Sequence, residues 1–235
     1  INLNNLKDLM SKFFNIFLLS ILVIFIFNKK IISYYYVKKF SSWVERPVEI
    51  SNLNFEYSGL VEIEDIRILN SNESYFNYIF QAEKVSFNFD VKSLISELII
   101  INNIDITNPQ FYLDVKILDK KKENIDNNKE TSYEDNLGLA QKLNEKTPDK
   151  IWPKKDKDIN FIIRKAVLSG ATAGIKVSSI TDPAKINFSE MMFSNFGNEK
   201  GYQHYKDILK IILFDLYART ENVRIKETLK KIYNF

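Results

Sequence analysis

The chain has 235 residues, of which 45% are hydrophobic and 27% are charged, a balance that permits one packed domain with a separate anchor. Its formal net charge is only +3, and no stripe of Lys and Arg with interleaved aromatic residues occurs, which argues against nucleic-acid binding. The absence of cysteine removes disulfides, thiolate metal sites and cysteine nucleophiles.

The first feature along the chain is an uncharged, nearly all-apolar run over residues 13–27. Extended back to Leu9, it gives about 19 residues, which at ~1.5 Å rise each cross a hydrocarbon core of ~30 Å. Lysines and then a group of tyrosines follow it, as is typical of a membrane interface. A cleaved signal peptide needs a shorter core and a small-residue site. The run therefore predicts a transmembrane anchor over 1–30, followed by a juxtamembrane helix over 31–47.

The lysines around this run bear on its orientation. Lys7 and Lys12 precede or enter it, whereas a larger group follows it: Lys29, Lys30, Lys38 and Lys39. The positive-inside rule, taken alone, places the body of the protein in the cytoplasm.

The segment 48–118 is predicted to form β-strands with an unusual repeat. In each copy an apolar residue is followed by two polar residues and then by strict alternation, with copies beginning at Ile50, Ile63, Ala82 and Ile101. Strict alternation gives a strand one buried and one solvated face. The two-polar step predicts a β-bulge, which restores the phase and bends the strand. Bulges repeated in neighbouring strands are expected to curl the sheet.

The apolar members of these copies are predicted to line one face of the curled sheet and are the candidate lipid-groove residues. They are Ile50, Leu53, Phe55, Ile63, Ile66, Ile68, Val85, Phe87, Phe89, Ile104 and Ile106. The same periodicity is compatible with an ordinary sandwich or a sheet-on-helix core, so the pattern alone leaves both interpretations open.

The second half of the chain begins with a change of composition. Charged residues of both signs make up about half of residues 119–158, which predicts a flexible linker. Strands resume over 159–202. Residues 203–235 predict a C-terminal amphipathic helix, broken near 218–222, with one apolar stripe: Tyr205, Ile208, Leu209, Ile212, Leu216 and Val223. Its many cations leave two interpretations open, a helix that covers the sheet or one that lies in an anionic membrane interface.

No motif for catalysis or cofactor binding occurs in the sequence. The only histidine, His204, cannot build a zinc site alone. The acidic residues Glu62 and Glu64 share a face of a predicted strand, where such residues are usually the solvated side of a sheet. We therefore predict a protein that is not an enzyme, with no catalytic residue, no metal and no cofactor.

The order of these parts resembles the AsmA-like family, relatives of the bridge-like lipid-transfer proteins that begin with a chorein motif. The resemblance rests on the anchor at 13–27, on residues 61–68 and 82–89, and on residues 101–113, in which an Ile-rich strand ends at Asn-Pro and a second strand begins. It implies an α+β fold: an N-terminal transmembrane helix, a curved antiparallel β-sheet (a β-taco, or half-pipe) and a C-terminal amphipathic helix.

The resemblance also implies a function and a location. It implies a single-pass protein of the inner (cytoplasmic) membrane with its body in the periplasm, against the lysine count. The implied role is envelope lipid homeostasis, phospholipid binding or transfer, and outer membrane biogenesis, with membrane lipid and envelope proteins as partners. The alternative is a structural or interaction protein of the inner membrane with no lipid groove. Strands stack at ~4.8 Å, so even seven make a sheet only ~35 Å wide, too short to cross a periplasm alone.

Overall fold

A computed structural model of the protein describes residues 34–42, 44–71, 73–120, 130–136 and 160–233. The chain divides into two compact units, Ile1–Phe40 and Ser41–Phe235. In the first unit, the described residues 34–40 are helical. The predicted transmembrane helix over 13–27 lies outside the described residues. Within the described ranges, no helix has both the length and the apolar character needed to cross a bilayer.

The second unit combines one mixed β-sheet with a few helices, so the α+β class is confirmed. Its strands are β1 (Val48–Glu49), β2 (Asn52–Phe55), β3 (Leu60–Leu69), β4 (Tyr78–Phe89), β5 (Leu98–Thr107), β6 (Gln110–Lys120), β7 (Glu130–Asp135), β8 (Asn160–Ser169), β9 (Thr172–Val177), β10 (Ala184–Asn187), β11 (Met191–Gly197) and β12 (Gln203–His204). Its helices are a 3-10 helix (Val91–Ile95), α1 (Tyr205–Arg219) and α2 (Val223–Tyr233).

Some consecutive strands continue one another across a kink and are here called ribbons: β5 with β6, β8 with β9, and β10 with β11. Strands β1 and β2 pair with β3, β3 pairs with β4, and β4 pairs with both β5 and β6. The next ribbon, β8 and β9, runs parallel to β5 and β6, and β10 and β11 return antiparallel to it. The predicted antiparallel sheet is therefore wrong in this respect. Two parallel strands need a long connection that returns the chain to the end of the sheet where the first strand began. The residues between β6 and β8 provide the length for such a connection.

A second correction concerns the predicted linker over 119–158. Strand β6 extends to Lys120, and β7 pairs antiparallel with it inside that segment. Tyr133 of β7 packs against the main apolar cluster. Burial of this aromatic side chain favours a strand at β7, although the average composition of residues 119–158 predicts a linker.

Two of the predicted two-polar steps lie on a line of backbone irregularities across the sheet, here called the crease (Asp65, Glu83, Asn108 and Gly170). The register of β3 and β4 does not shift there but only between Ile68 and Leu69, so these two steps form a kink without the extra residue of a bulge. Asp65, Asn108 and Gly170 have φ values of 50°, 50° and 70°. Strand register puts Asp65 opposite Glu83, whose Oε2 accepts a hydrogen bond of 2.7 Å from Asn108 Nδ2. Pro109 follows Asn108, a position where the missing N–H of proline is tolerated because the strand is kinked.

A second, shorter line of irregularities lies nearer the 3-10 helix. Between Asn88 and Phe89 the register shifts, so that Asn102 is the extra residue of β5. Arg164 Nη1 donates to Asn102 Oδ1 at 3.0 Å, and Asn195 on the next ribbon has a φ of 53°. The extra residue Asn102 falls on the Asn-Asn step of the repeat, where a bulge is predicted.

Helices α1 and α2 pack on one face of the sheet. In α2, Ile225 and Leu229 are fully buried against β6, β8 and β9 residues. In α1, Leu213 and Leu216 join the same cluster, and Ile208 packs on β8 and β11. The break between the helices lies where the sequence predicts it. Thr220 Oγ1 closes α1 by donating to the Leu216 carbonyl at 2.7 Å, and Asn222 caps α2.

We expect Gly170→Ala to lower the free energy of unfolding by about 2–3 kcal/mol, because a β-carbon adds left-handed backbone strain and a clash. That β-carbon would lie 2.2 Å from Asn108 Oδ1. In an Asn108→Gly background, the same substitution should cost only about 1 kcal/mol, the backbone term alone. Urea unfolding followed by circular dichroism measures this double-mutant cycle. Equal costs in the two backgrounds would show that Asn108 and Gly170 are not coupled across the crease.

Candidate functional site

The apolar face of the sheet is built from rows of side chains that pair directly across neighbouring strands. Residues opposite one another in a sheet project to the same side, so each row fixes the face of its members. One row runs through Leu53, Ile63, Val85, Ile106, Leu168 and Met191. The next runs through Phe55, Val61, Phe87, Ile104, Ala166 and Phe193.

Three further predicted residues belong to this face. Phe89 pairs with Ile101, which continues the pattern towards Ile163. Two more lie on the other side of the crease: Ile68 pairs with Val48 and Phe80, and Ile66 pairs with Ala82. Ile50 lies in the short break between β1 and β2 and is half-buried. The structure thus brings ten of the predicted residues into cross-strand register on one face.

The face has two parts that differ in what covers them. Helices α1 and α2 cover the part formed by β5, β6 and β8–β11. The part on β2–β4 lies outside those two clusters and is here called the apolar strip. Its members are Leu53, Phe55, Val61, Ile63, Val85, Phe87 and Phe89. Phe55 is 42% exposed and most of the others are half-buried, whereas Val85 is 4% exposed.

The opposite face of the sheet is polar and is held by local ion pairs and hydrogen bonds. Lys84 Nζ lies 2.5 Å from Glu62 Oε1, and this hydrogen bond is the main cause that raises the pKa of Lys84. Glu64 Oε2 accepts a bond of 3.3 Å from Asn52 Nδ2. The acidic residues singled out in the sequence therefore bind neighbouring side chains across strands. This arrangement accounts for them without acid–base chemistry.

The remaining candidate for chemistry, His204, is the last residue of β12 and immediately precedes α1. It is half-buried. Among the described residues, no group of three or more His, Asp or Glu side chains is arranged to hold a metal ion.

Asp114 is a buried carboxylate on the polar face that the sequence reasoning missed. Its Oδ2 accepts hydrogen bonds from the backbone of Tyr75 (2.9 Å) and Phe76 (3.4 Å) and from Asn70 Nδ2 (3.4 Å). Its Oδ1 is buried and has no hydrogen-bond partner in the described part of the chain. These bonds tie the β3–β4 connection to β6. Burial raises the pKa of Asp114, and the two backbone bonds oppose that shift.

Val61 and Asp114 are not among the residues predicted for the site, yet the sequence contains a signal for each of them. Val61 alternates with Ile63, so it extends the apolar set by one step towards the turn at Gly59. Asp114 is a single acid between Leu113 and Val115, and an isolated charge inside an apolar run either faces solvent or binds a specific partner. Only the fold shows that the second case applies, because Tyr75 is 39 residues distant in the chain.

We expect the wild-type protein to gain stability relative to Asp114→Asn as the pH falls from neutral towards 3.8, the ordinary value for aspartate. Burial raises the pKa of this carboxyl in the folded state. Its contribution is therefore fully present below the unfolded pKa and is lost as the pH rises through the folded pKa. Urea unfolding of both proteins across this range measures the difference. A constant difference, or one of opposite slope, would contradict the assignment.

Comparison with known proteins finds no match: no protein-family model, no curated protein and no solved structure matches the chain.

Proposed function

We propose that the protein is a membrane-anchored, lipid-handling module in which the apolar strip binds acyl chains. The observation that carries the proposal is the cross-strand register of the predicted groove residues, which gives a continuous apolar surface on β2–β4. The opposite face of the sheet is polar, so only one face offers an apolar surface to lipid.

The dimensions of the strip suit a large part of one acyl chain. From Val85 to Phe89, its members on β4 extend roughly 13 Å at ~3.3 Å per residue. A single leaflet of hydrocarbon is about 15 Å thick, half of the ~30 Å core. The strip is therefore nearly as long as an acyl chain extended through one leaflet, and its aromatic members offer large contact areas. The left-handed residue Asp65 kinks β3 beside the strip, which supports a concave half-pipe.

The alternative is a structural or interaction protein of the inner membrane without a lipid groove. The observation that favours it is the deep burial of Ile66 and Val85, each 4% exposed, within the same face. A face sealed at these positions has no room for a ligand there. The two functions differ in whether lipid co-purifies and whether the more exposed members of the strip control it.

The location belongs to the same proposal. The apolar run at 13–27 supports a single-pass anchor, and the AsmA-like resemblance supports the inner membrane with the body in the periplasm. A role in envelope lipid homeostasis, with membrane lipid and envelope proteins as partners, follows from that arrangement. The short width of the sheet supports local binding or extraction of lipid and not transfer across the whole periplasm.

We expect native mass spectrometry of the detergent-extracted protein to show bound phospholipid, and Phe55→Asp to lower its occupancy by at least tenfold. A carboxylate against an acyl chain costs more than the roughly 1.4 kcal/mol that a tenfold loss represents. Phe55 is suitable because it is 42% exposed and lies on a short marginal strand, so the fold should survive the substitution.

The matched control is Asn88→Asp, which adds the same charge at an exposed position on the polar face. It should leave the lipid occupancy unchanged. Equal occupancy in wild type, control and Phe55→Asp protein would favour the alternative without a groove. Loss of lipid in both variants would indicate a general effect of charge and would also reject the strip as the binding surface.

Orientation can be measured because the chain lacks cysteine. Lys185→Cys places one thiol at an exposed position of β10. In intact spheroplasts of a Gram-negative host, a membrane-impermeant maleimide should label it at the level seen after lysis. Labelling only after lysis would place the body in the cytoplasm, as the lysine count alone indicates.

A further inference from the structure

The two C-terminal helices differ in what their outer faces present. The stripe of α1 predicted from the sequence is turned inward, since Ile208 and Leu216 are buried against the sheet. Val223 is 66% exposed and does not continue that stripe, because the break at Thr220–Asn222 resets the helical phase. The outward side of α1 must therefore be described separately.

That outward side of α1 is apolar beyond its first turn. Ile211 and Phe214 are 47% and 55% exposed, and Ala218 is also exposed, whereas the exposed residues Asp207 and Lys210 near the start of the helix are charged. The spacing of three and four residues puts Ile211, Phe214 and Ala218 in one line, opposite the side that carries Leu213 and Leu216. An exposed apolar stripe on a helix whose other side is already buried is suited to contact with an apolar phase.

The outward side of α2 is basic. The helix contains four basic residues and one acidic residue, a net charge of +3 in 11 residues. Since the whole chain also has a net charge of +3, the remaining residues carry equal numbers of acidic and basic side chains. Arg224, Lys230 and Lys231 are exposed, while the apolar side of α2 is buried in the core.

Both helices pack on the same face of the sheet, so their outer sides point the same way. Lys226 links them, with its Nζ 3.4 Å from the Ala218 carbonyl and 5.1 Å from the Tyr217 ring centroid. An apolar stripe beside a cationic stripe on one surface has the chemistry of a membrane-interface binder, in which apolar side chains enter the acyl boundary and cations meet anionic headgroups.

We propose that the outer surface of α1 and α2 docks on an anionic lipid bilayer, with Ile211 and Phe214 inserted and Lys230 and Lys231 at the headgroups. Charge complementarity selects this occupant over a neutral apolar partner. Docking turns the helix-covered face of the sheet towards the bilayer. Since Ile208 and Ile212 of α1 belong to the same apolar cluster as Ile101 and Ile104 of β5, which pairs with β4, α1 lies on the side of the sheet that carries the apolar strip.

The test uses the full chain in vesicles of equal parts phosphatidylcholine and phosphatidylglycerol, with one nitroxide label on a cysteine. For Ile211→Cys, we expect high accessibility to oxygen and low accessibility to a water-soluble nickel chelate. For Lys185→Cys on β10, outside the helix pair, we expect the reverse. The comparison holds whether or not residues 13–27 span the bilayer, because the two labels share any such anchor.

Charge is tested in the Ile211→Cys chain with Lys230→Ser and Lys231→Ser added. The ratio of lipid-immersed to water-exposed label should fall about 25-fold, at roughly fivefold for each cation near an anionic surface. Vesicles of phosphatidylcholine alone should give a similar loss. Unchanged immersion in both cases would overturn the role of the cations.

Two other outcomes would overturn the docking itself. A label at 211 as accessible to nickel as the label at 185 would mean that the surface stays in water. A label protected from both oxygen and nickel would mean that protein, a second copy of the chain, covers it. Neither outcome depends on the apolar strip, so this inference can fail while lipid still co-purifies, and the reverse.

Discussion

The fold depends on a conflict between two spacings that the sheet has to reconcile. Side chains of a strand alternate between faces with a period of two, yet Ile63 and Ile66 are three residues apart and both belong to the apolar face. Without an irregularity, every apolar residue beyond Ile63 would project into solvent. The left-handed conformation at Asp65 removes this conflict, and Asn108 and Gly170 do the same on neighbouring ribbons.

The irregularities are in register, and this distinguishes the sheet from one with scattered defects. Asn108 donates to Glu83, its backbone N–H donates to the Ser169 carbonyl at 2.8 Å, and Gly170 leaves space for its side chain. Each kink is therefore stabilised by its neighbour, since main-chain hydrogen bonds continue on both sides of the line. Left-handed residues at neighbouring positions return the alternation of their strands to the same face, so the apolar face stays continuous across the crease.

Much of this architecture is local and could be predicted from the sequence. The Asn102-Asn103 step predicts the bulge of β5, the Glu64-Asp65 step predicts an irregularity in β3, and the helix break near Thr220 follows from loss of periodicity. These features depend on residues close together in the chain. The faces of the candidate groove residues follow too, because alternation and bulge together determine the side on which each residue lies.

The features that the sequence did not predict depend on distant contacts. Parallel pairing of β5 with β8 joins residues about 60 apart, and no local pattern specifies it. Tyr133 makes β7 a strand only because the core cluster lies beside it. Asp114 accepts a hydrogen bond from Tyr75 in the β3–β4 connection, 39 residues earlier in the chain. Val223 is exposed and does not continue the buried stripe of α1, because the break at Thr220–Asn222 resets the helical phase.

The margins of the sheet have a consequence for assembly. In the described part of the chain, the strands that pair on one side only are short: β1 and β12 have two residues each, β2 and β10 have four each, and β7 has six. Short margins offer few open backbone groups on which another strand can build, a common defence against edge-to-edge growth. Copies of this chain joined at these margins would therefore gain few backbone hydrogen bonds, which disfavours building a longer sheet from this chain alone.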